Sequence, residues 1–209
     1  KKIYYQIQNV LSGQSNMFNK FAMIKIIDEL FIQSKKYYND FNEADGKIGD
    51  GDLGITIQNG LQEIVKNKGN FTDDLGHNFM ICSQAFVKKS GSSFGTLVAF
   101  CLMNISKSLK GKKFLTQGNI IEIFDICITT IKKRSKTNLG DKTILDTLDI
   151  ILNKIKEAKD NIKYSEIFKS ATKEALEKFK GKKILIGRAR MFDDKTKDFD
   201  DPGMLAFSK

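Results

Sequence analysis

Proline occurs once in this sequence, at Pro202, and that scarcity constrains the fold more than any other single feature. Folds made of many short strands break their turns with Pro and Gly, whereas a helix excludes Pro from its interior. The apolar spacing agrees with a helical reading. Between Met17 and Tyr38, the residues Phe18, Phe21, Ile24, Ile27, Phe31 and Ile32 recur at spacings of three, four and one, the stripe of an amphipathic helix. Comparable segments run over residues 55–67, 73–88, 95–109, 117–133, 143–158 and 164–180. Thr72 with Asp73, Thr116 with Gln117, and Ser165 read as helix starts. Short connections between such segments predict an antiparallel bundle. No internal repeat or low-complexity tract divides the 209 residues, so they read as one domain with ample material for a core. The longest apolar run, around Leu97 to Met103, falls well short of the roughly 18 residues a membrane span needs. The N-terminus shows no signal-peptide apolar region.

The net charge of +10 invites a nucleic-acid reading. Only three of the 35 basic residues are arginine, however: Arg134, Arg188 and Arg190. Base readout favours the bidentate arginine fork, and the lysines are spread along the whole chain. They read as solvated helix faces, so nucleic acid is not expected as a partner. Cys82, Cys101 and Cys127 each sit in an apolar stretch with no CxxC pairing, which predicts buried thiols in a reducing, cytoplasmic setting. The single histidine, His77, excludes any mechanism that needs a His pair from this chain.

Four segments carry chemistry. In DGKIGDGDLG, residues 45–54, the carboxylates Asp45, Asp50 and Asp52 crowd a glycine-rich loop. Their mutual repulsion is relieved by a hard cation such as Mg²⁺ or Ca²⁺. The EF-hand spacing is absent, which favours Mg²⁺ shared with waters and phosphate oxygens; a solvated acidic turn is the plainer alternative. In KKSGSSFGT, residues 88–96, small residues before an apolar helix offer amides and hydroxyls to an anion, although no Walker A motif is present. In NLGDKTILDTL, residues 138–148, Thr143 and Asp146 read as a helix opening, and Lys142 either reaches a phosphate or is simply exposed. In IGRARMF, residues 186–192, Arg188 stands out in an arginine-poor chain as a phosphate or base ligand. Asp201-Pro202-Gly203 follows as a turn and helix start. Together these loops describe a nucleotide–Mg²⁺ site.

In this order and at these separations, the segments resemble the ADP-binding L subunit of dihydroxyacetone kinase. AD-GKI-GDGDLG, KKSGSSFG, GDKTILD and GRARMF…DPG are similar to that family's LD-x4-GDxDHG, GGxSGxxxG, GDKTMxD and GRAxY…DPG, over roughly residues 17–207. The resemblance implies an all-α barrel of about eight antiparallel helices with the nucleotide site in the loops at one end. It implies ADP or ATP with two Mg²⁺ held by Asp45, Asp50 and Asp52. The nucleotide would be contacted by Leu53, Gly54, Ile55 and Thr56, by Lys89, Ser90 and Gly91, and by Ser135 and Ile144. Arg188, Asp201, Pro202 and Gly203 would close over it. It further implies a phosphotransferase: the γ-phosphate passes to dihydroxyacetone held covalently on a separate K subunit, or bound ADP is recharged by a phosphotransferase-system phosphocarrier. A homodimer is also expected, and no membrane partner. A divergent nucleotide-binding paralogue with a regulatory role is the alternative.

The sequence departs from the family pattern in three places. Leu53 stands where the family has His, Lys88 and Lys89 replace paired glycines, and the chain ends six residues after Gly203. Residues 1–16 read as an extension to a domain of residues 17–209. Its stripe of Ile3, Tyr4, Ile7, Val10 and Leu11 is expected to pack where the family's longer last helix would lie.

Overall fold

The computed structural model describes residues 18–89, 91–158 and 163–209. The expectations for the extension and for Ser90 lie outside the described residues. The helices are α1 (Lys20–Lys36), α2 (Tyr38–Gly46), α3 (Leu53–Asn67), α4 (Leu75–Lys89), α5 (Ser93–Ser108), α6 (Gln117–Ser135), α7 (Ile144–Glu157), α8 (Tyr164–Phe179) and α9 (Pro202–Ser208). Tight 3-10 turns lie at Lys68–Asn70 and Arg188–Asp198. Among the described residues, extended pairing is limited to one antiparallel bridge between Phe18 and Leu115. The fold is all-α, as the lone proline and the apolar spacing predict.

Helix starts follow side chains that accept hydrogen bonds from otherwise orphaned amides. Asn19 Oδ1 accepts from the Phe21 and Ala22 amides at the head of α1. Thr116 with Asn119 and Thr143 with Asp146 form reciprocal capping boxes for α6 and α7. Two expected starts shift. The α4 amides of Gly76 and His77 bond to Asp74 Oδ1, not to Thr72 or Asp73, because Asn78 clasps Thr72 through its own amide and carbonyl. Ser165 is buried inside α8, which starts at Tyr164 without a side-chain cap. The stripe read as one helix from Met17 divides at Tyr37 into α1 and α2.

The core is built from three adjoining clusters. Leu75, Leu109, Ile27, Ile64 and Phe86 join α1, α3, α4 and α5. Cys101, Ile131, Leu145 and Leu148 join α5, α6 and α7. Ile151, Ile155, Ala171, Phe179 and Met204 join α7, α8 and α9. Each buried large apolar side chain contributes about 1.5–3 kcal/mol. Successive helices from α3 to α8 pack against one another in chain order, and α9 then touches α8, α7 and α2. Since α2 also packs on α3, the neighbour order returns to its start. Cys82 and Cys101 are buried and Cys127 half-buried, all as free thiols. Burial pushes the Cys82 thiol up to about 12. No helix among the described residues is long and apolar enough to cross a membrane.

Gly76 touches backbone. A Cβ there would come within 2.7 Å of Lys110 N and Cα and of Ser106 O, atoms that cannot swing aside. Gly76→Ala is therefore expected to destabilise the protein by about 1–3 kcal/mol. Gly69 has nothing within 4 Å of such a Cβ, and Gly69→Ala should leave stability within about 0.5 kcal/mol of the parent or slightly above it. Urea titrations of both variants check this contrast.

Asp201 caps α9, accepting from the Met204 amide at 2.9 Å, with Pro202 in the first turn. Burial, opposed by the Met204 and Gly203 amides and by Lys142, pushes its carboxyl up from an ordinary 3.8 to about 7. The folded state thus holds this proton more tightly than the unfolded chain does. Stability from this residue is present in acid and is lost as pH rises from about 4 towards 7. Asp201→Asn keeps a competent cap, and its stability should fall less than the parent's over that interval in denaturant titrations at a series of pH values.

Candidate functional site

The acidic loop joins α2 to α3 in a sharp turn that Gly51 makes with φ of +74°. Asp45 sits in the last turn of α2, Asp52 is the residue before α3, and Asp50 lies between them. Carboxylate oxygens of the three, one from each, lie within 4.8 Å of one another. Asp45 Oδ2 also accepts from the Asp52 amide at 3.0 Å, which fixes the turn. Gly49 packs on Asp45 so closely that a Cβ would fall 2.6 Å from Asp45 Oδ1.

Asp52 stands at the N-cap of α3 but does not cap it. Asn42 does so from α2, where its Oδ1 accepts from the Gly54 and Ile55 amides at 2.7 and 3.2 Å. The Asp52 carboxylate is thereby free to face Asp45 and Asp50. Its pKa is raised by partial burial, then by Asp50 and Asp45, with Arg188 opposing. Gly54 is required for this approach, since a Cβ would lie 2.3 Å from Tyr38 O and 2.7 Å from Asn42 Oδ1. The Arg188 guanidinium reaches across and pairs with Asp50 Oδ2. Three clustered oxygen donors, one partly desolvated and destabilised by its neighbours, suit a hard divalent cation.

The other predicted site residues divide into two groups. Leu53 to Thr56 form the first turn of α3 and not an open loop. Leu53 and Thr56 are buried, and Ile55 is exposed. Thr56 Oγ1 donates to Ser92 Oγ at 2.8 Å, and Ser92 caps α5 by accepting from the Gly95 amide. The second loop thus meets the acidic loop through Thr56. Gly203 lies beside Ile144 and Phe94: a Cβ there would be 3.5 Å from Ile144 Cβ and 3.8 Å from Phe94 Cε2. The N-termini of α3, α5, α7 and α9 therefore converge, and their positive dipole ends favour an anion. Pro202 is buried at the head of α9. Lys89 and Gly91 are exposed at the end of α4 and just beyond it, and Ser135 turns its hydroxyl back onto Ile131 O at 2.7 Å. His77 lies at the opposite end of α4 from these loops.

Two lysines behave otherwise than their sequence context suggests. Lys88, in place of a family glycine, bonds to Glu63 Oε1 on α3 at 2.6 Å, and that hydrogen bond is the main reason the Glu63 carboxyl is lowered. Lys142 neither reaches outward nor is exposed. It is 1% exposed, and its ammonium donates to the carbonyls of Lys182, Thr196 and Phe199 at 2.8, 3.1 and 2.6 Å. Burial and three carbonyl partners consume its donors, which removes it from the candidate phosphate ligands. Asn42 and Phe94 escaped sequence reasoning, and Lys142 was visible there but not its inward role. The signal for Asn42 is indirect: a helix whose own N-cap aspartate is claimed elsewhere needs another acceptor. A groove of about 460 Å³ between α5 and α6, lined by Ile121, Asp125 and Ile126 among others, touches none of these residues.

Residues 47–209 match the family model of the DAK2 domain. The chain is 27% identical over 175 residues to the ADP-binding subunit DhaL of PEP-dependent dihydroxyacetone kinase 1 from Listeria innocua, covering 82% of this chain and 81% of that subunit. It is 28% identical to the ADP-binding subunit DhaL of the PTS-dependent dihydroxyacetone kinase from Lactococcus lactis, covering 82% and 83%. The fold is similar to that of the dihydroxyacetone kinase of C. freundii in its native form, with a TM-score of 0.70 and 17% identity. That match covers 94% of this chain but 35% of the kinase, so the chain spans about a third of that longer protein. The same enzyme in complex with AMP-PNP and Mg²⁺ matches with a TM-score of 0.67 at 19% identity. With a family model spanning most of its length, this chain belongs to the DAK2 domain family.

Proposed function

We propose that the chain is the nucleotide-binding subunit of a dihydroxyacetone kinase, with residues 17–209 as its single nucleotide domain. The observation that carries this reading is the cluster of Asp45, Asp50 and Asp52 oxygens within 4.8 Å of one another, set where four helix N-termini converge. Three carboxylates offer enough oxygens to share between two Mg²⁺ ions, each completing its shell with water and phosphate oxygens. When bound, such ions would neutralise charge on the terminal phosphates of ADP or ATP.

The chain's own groups would position the nucleotide. The Arg188–Asp50 pair is largely exposed, with side-chain exposures of 59% and 51%. Such a pair is weakly held, so cations on Asp50 would release the guanidinium to a phosphate. The first turns of α3, α5 and α7, including Gly54 to Thr56 and Ile144, would face the phosphates and nucleoside. Lys89, Gly91 and Ser135 would line the rim, and Asp201 to Gly203 would close the far side. Catalysis would then be electrostatic positioning, with no group here acting as nucleophile.

The acceptor is assigned to a partner K subunit that holds dihydroxyacetone. The γ-phosphoryl group would pass to a triose hydroxyl, whose proton leaves to water, and ADP would remain. The names of the Listeria and Lactococcus relatives, PEP-dependent and PTS-dependent, favour a bound ADP recharged by a phosphocarrier over exchange with free ATP. A cytoplasmic setting follows from that chemistry.

The second reading, a regulatory paralogue that binds nucleotide without transferring phosphate, is favoured by Leu53 and Lys88. One turns inward as a buried residue where the family has a polar one, and the other is tied to Glu63. Phosphoryl transfer measured with a K subunit separates the two readings. For either reading, Asp50→Ala and Asp52→Ala are each expected to weaken Mg²⁺-dependent ADP binding by more than about a hundredfold. Titration calorimetry showing parental affinity in both variants would overturn the nucleotide–metal site.

A further inference from the structure

The segment from Lys182 to Phe199, which carries Arg188, has little helical support of its own. Its 3-10 stretch is broken at Asp193, where φ is +43°. It is held instead by bonds across its own width and by ties to the rest of the molecule. The Leu185 amide donates to Asp141 O at 3.1 Å. The Ile184 amide donates to Thr196 Oγ1 at 3.0 Å, and Thr196 Oγ1 donates to Asp193 O at 2.7 Å. Ile184, Ala189 and Phe199 pack on Ile48 of the acidic loop in a small separate cluster. The segment is thus a strap across the carboxylates.

At the root of the strap stands Lys142. It combines two costly features: a fully buried ammonium and a left-handed backbone with φ of +59°, rare for a residue with a side chain. Its ammonium binds the strap near both ends, at the carbonyl of Lys182 and at those of Thr196 and Phe199. Desolvation lowers its pKa, opposed by Asp200, Asp201 and Asp198. The cost of burying the ammonium is offset by the three strap carbonyls it satisfies, so the charge and the strap's position depend on each other.

We propose that Lys142 is a positioning residue for the phosphate-binding arginine: by drawing the two ends of the 182–199 strap onto one buried ammonium, it fixes the strap over the acidic loop with Arg188 facing Asp50. Lys142 itself touches neither the carboxylates nor the phosphates. The inference rests on the nucleotide–metal reading for its functional consequence, and on the geometry alone for the ordering of the strap.

The test has two arms. In the ligand-free protein, hydrogen exchange is followed in peptides covering 182–199 and, as the internal standard, in those covering α4 and α5. Lys142→Met should speed exchange in the strap at least about tenfold while the standard stays at parental rates. In the second arm, Mg²⁺–ADP affinity is measured for Lys142→Met, Arg188→Ala and the double variant. Each single change should weaken binding about tenfold or more, the loss expected for hydrogen bonds to charged groups. The double variant should bind no more weakly than Arg188→Ala, because Lys142 acts through that arginine. Parental strap exchange in Lys142→Met, or losses that multiply in the double variant, overturns the proposal. If Lys142→Met does not fold, Lys142→Gln, which keeps an amide donor but loses the ammonium and its three-way reach, carries the same measurements with the same expected signs. If the parent binds no Mg²⁺–ADP, the functional reading fails and the exchange arm decides the role of Lys142 by itself.

Discussion

Three carboxylates crowded into the turn between α2 and α3 repel one another, and much of the surrounding structure serves to hold them there. Asp45 is fixed by accepting the Asp52 amide. Asp52 is released from capping because Asn42 takes the first amides of α3. Gly49 and Gly54 permit contacts that any side chain would block. A helix start ordinarily uses its N-cap oxygen to stabilise its own first turn. Here that role passes to the preceding helix, and the carboxylate is left partly desolvated beside two like charges. Such an arrangement is costly without a counter-charge, and Arg188 supplies one from the far end of the chain.

The same end of the molecule is unified by direction. Helices α3, α5, α7 and α9 all begin there, linked through Thr56 and Ser92 and through Gly203, Ile144 and Phe94. Neighbouring helices run in alternating senses, so every second one starts at this end. The connections from α3 to α8 are short, which favours that alternation, and the longer 180–201 segment returns the chain to the same end for α9. The anion-favouring dipole ends and the cation-favouring carboxylates are therefore brought side by side, as a polyphosphate with divalent cations requires.

The legible parts of the protein were those governed by local rules. The helix starts read at Thr116 and at Thr143 with Asp146 depend on residues within a few positions, and both formed, each as a capping box. The clustering of the three aspartates was legible because they fall within eight positions of one glycine-rich turn. Ser165 and Thr72 misled for the opposite reason. Each is a competent cap by type, but burial claimed the first and Asn78 the second. Asn42 carried no local mark at all, since its partners lie twelve and thirteen residues away.

Sequence alone determined the helical class, through the lone proline and the apolar spacing, and the identity of the chemical segments, through their residue types. Tertiary structure decided what the long side chains do. Lys88 and Lys142 look alike on paper, as lysines beside glycine-rich, phosphate-like loops. One reaches a buried glutamate on a neighbouring helix, and the other turns inward to three carbonyls of the strap. A flexible four-carbon stem carries a charge several ångströms from its backbone, so its partner is set by whichever acceptor the fold brings within reach. That choice rests on contacts between residues 25 to 57 positions apart, which no local pattern records.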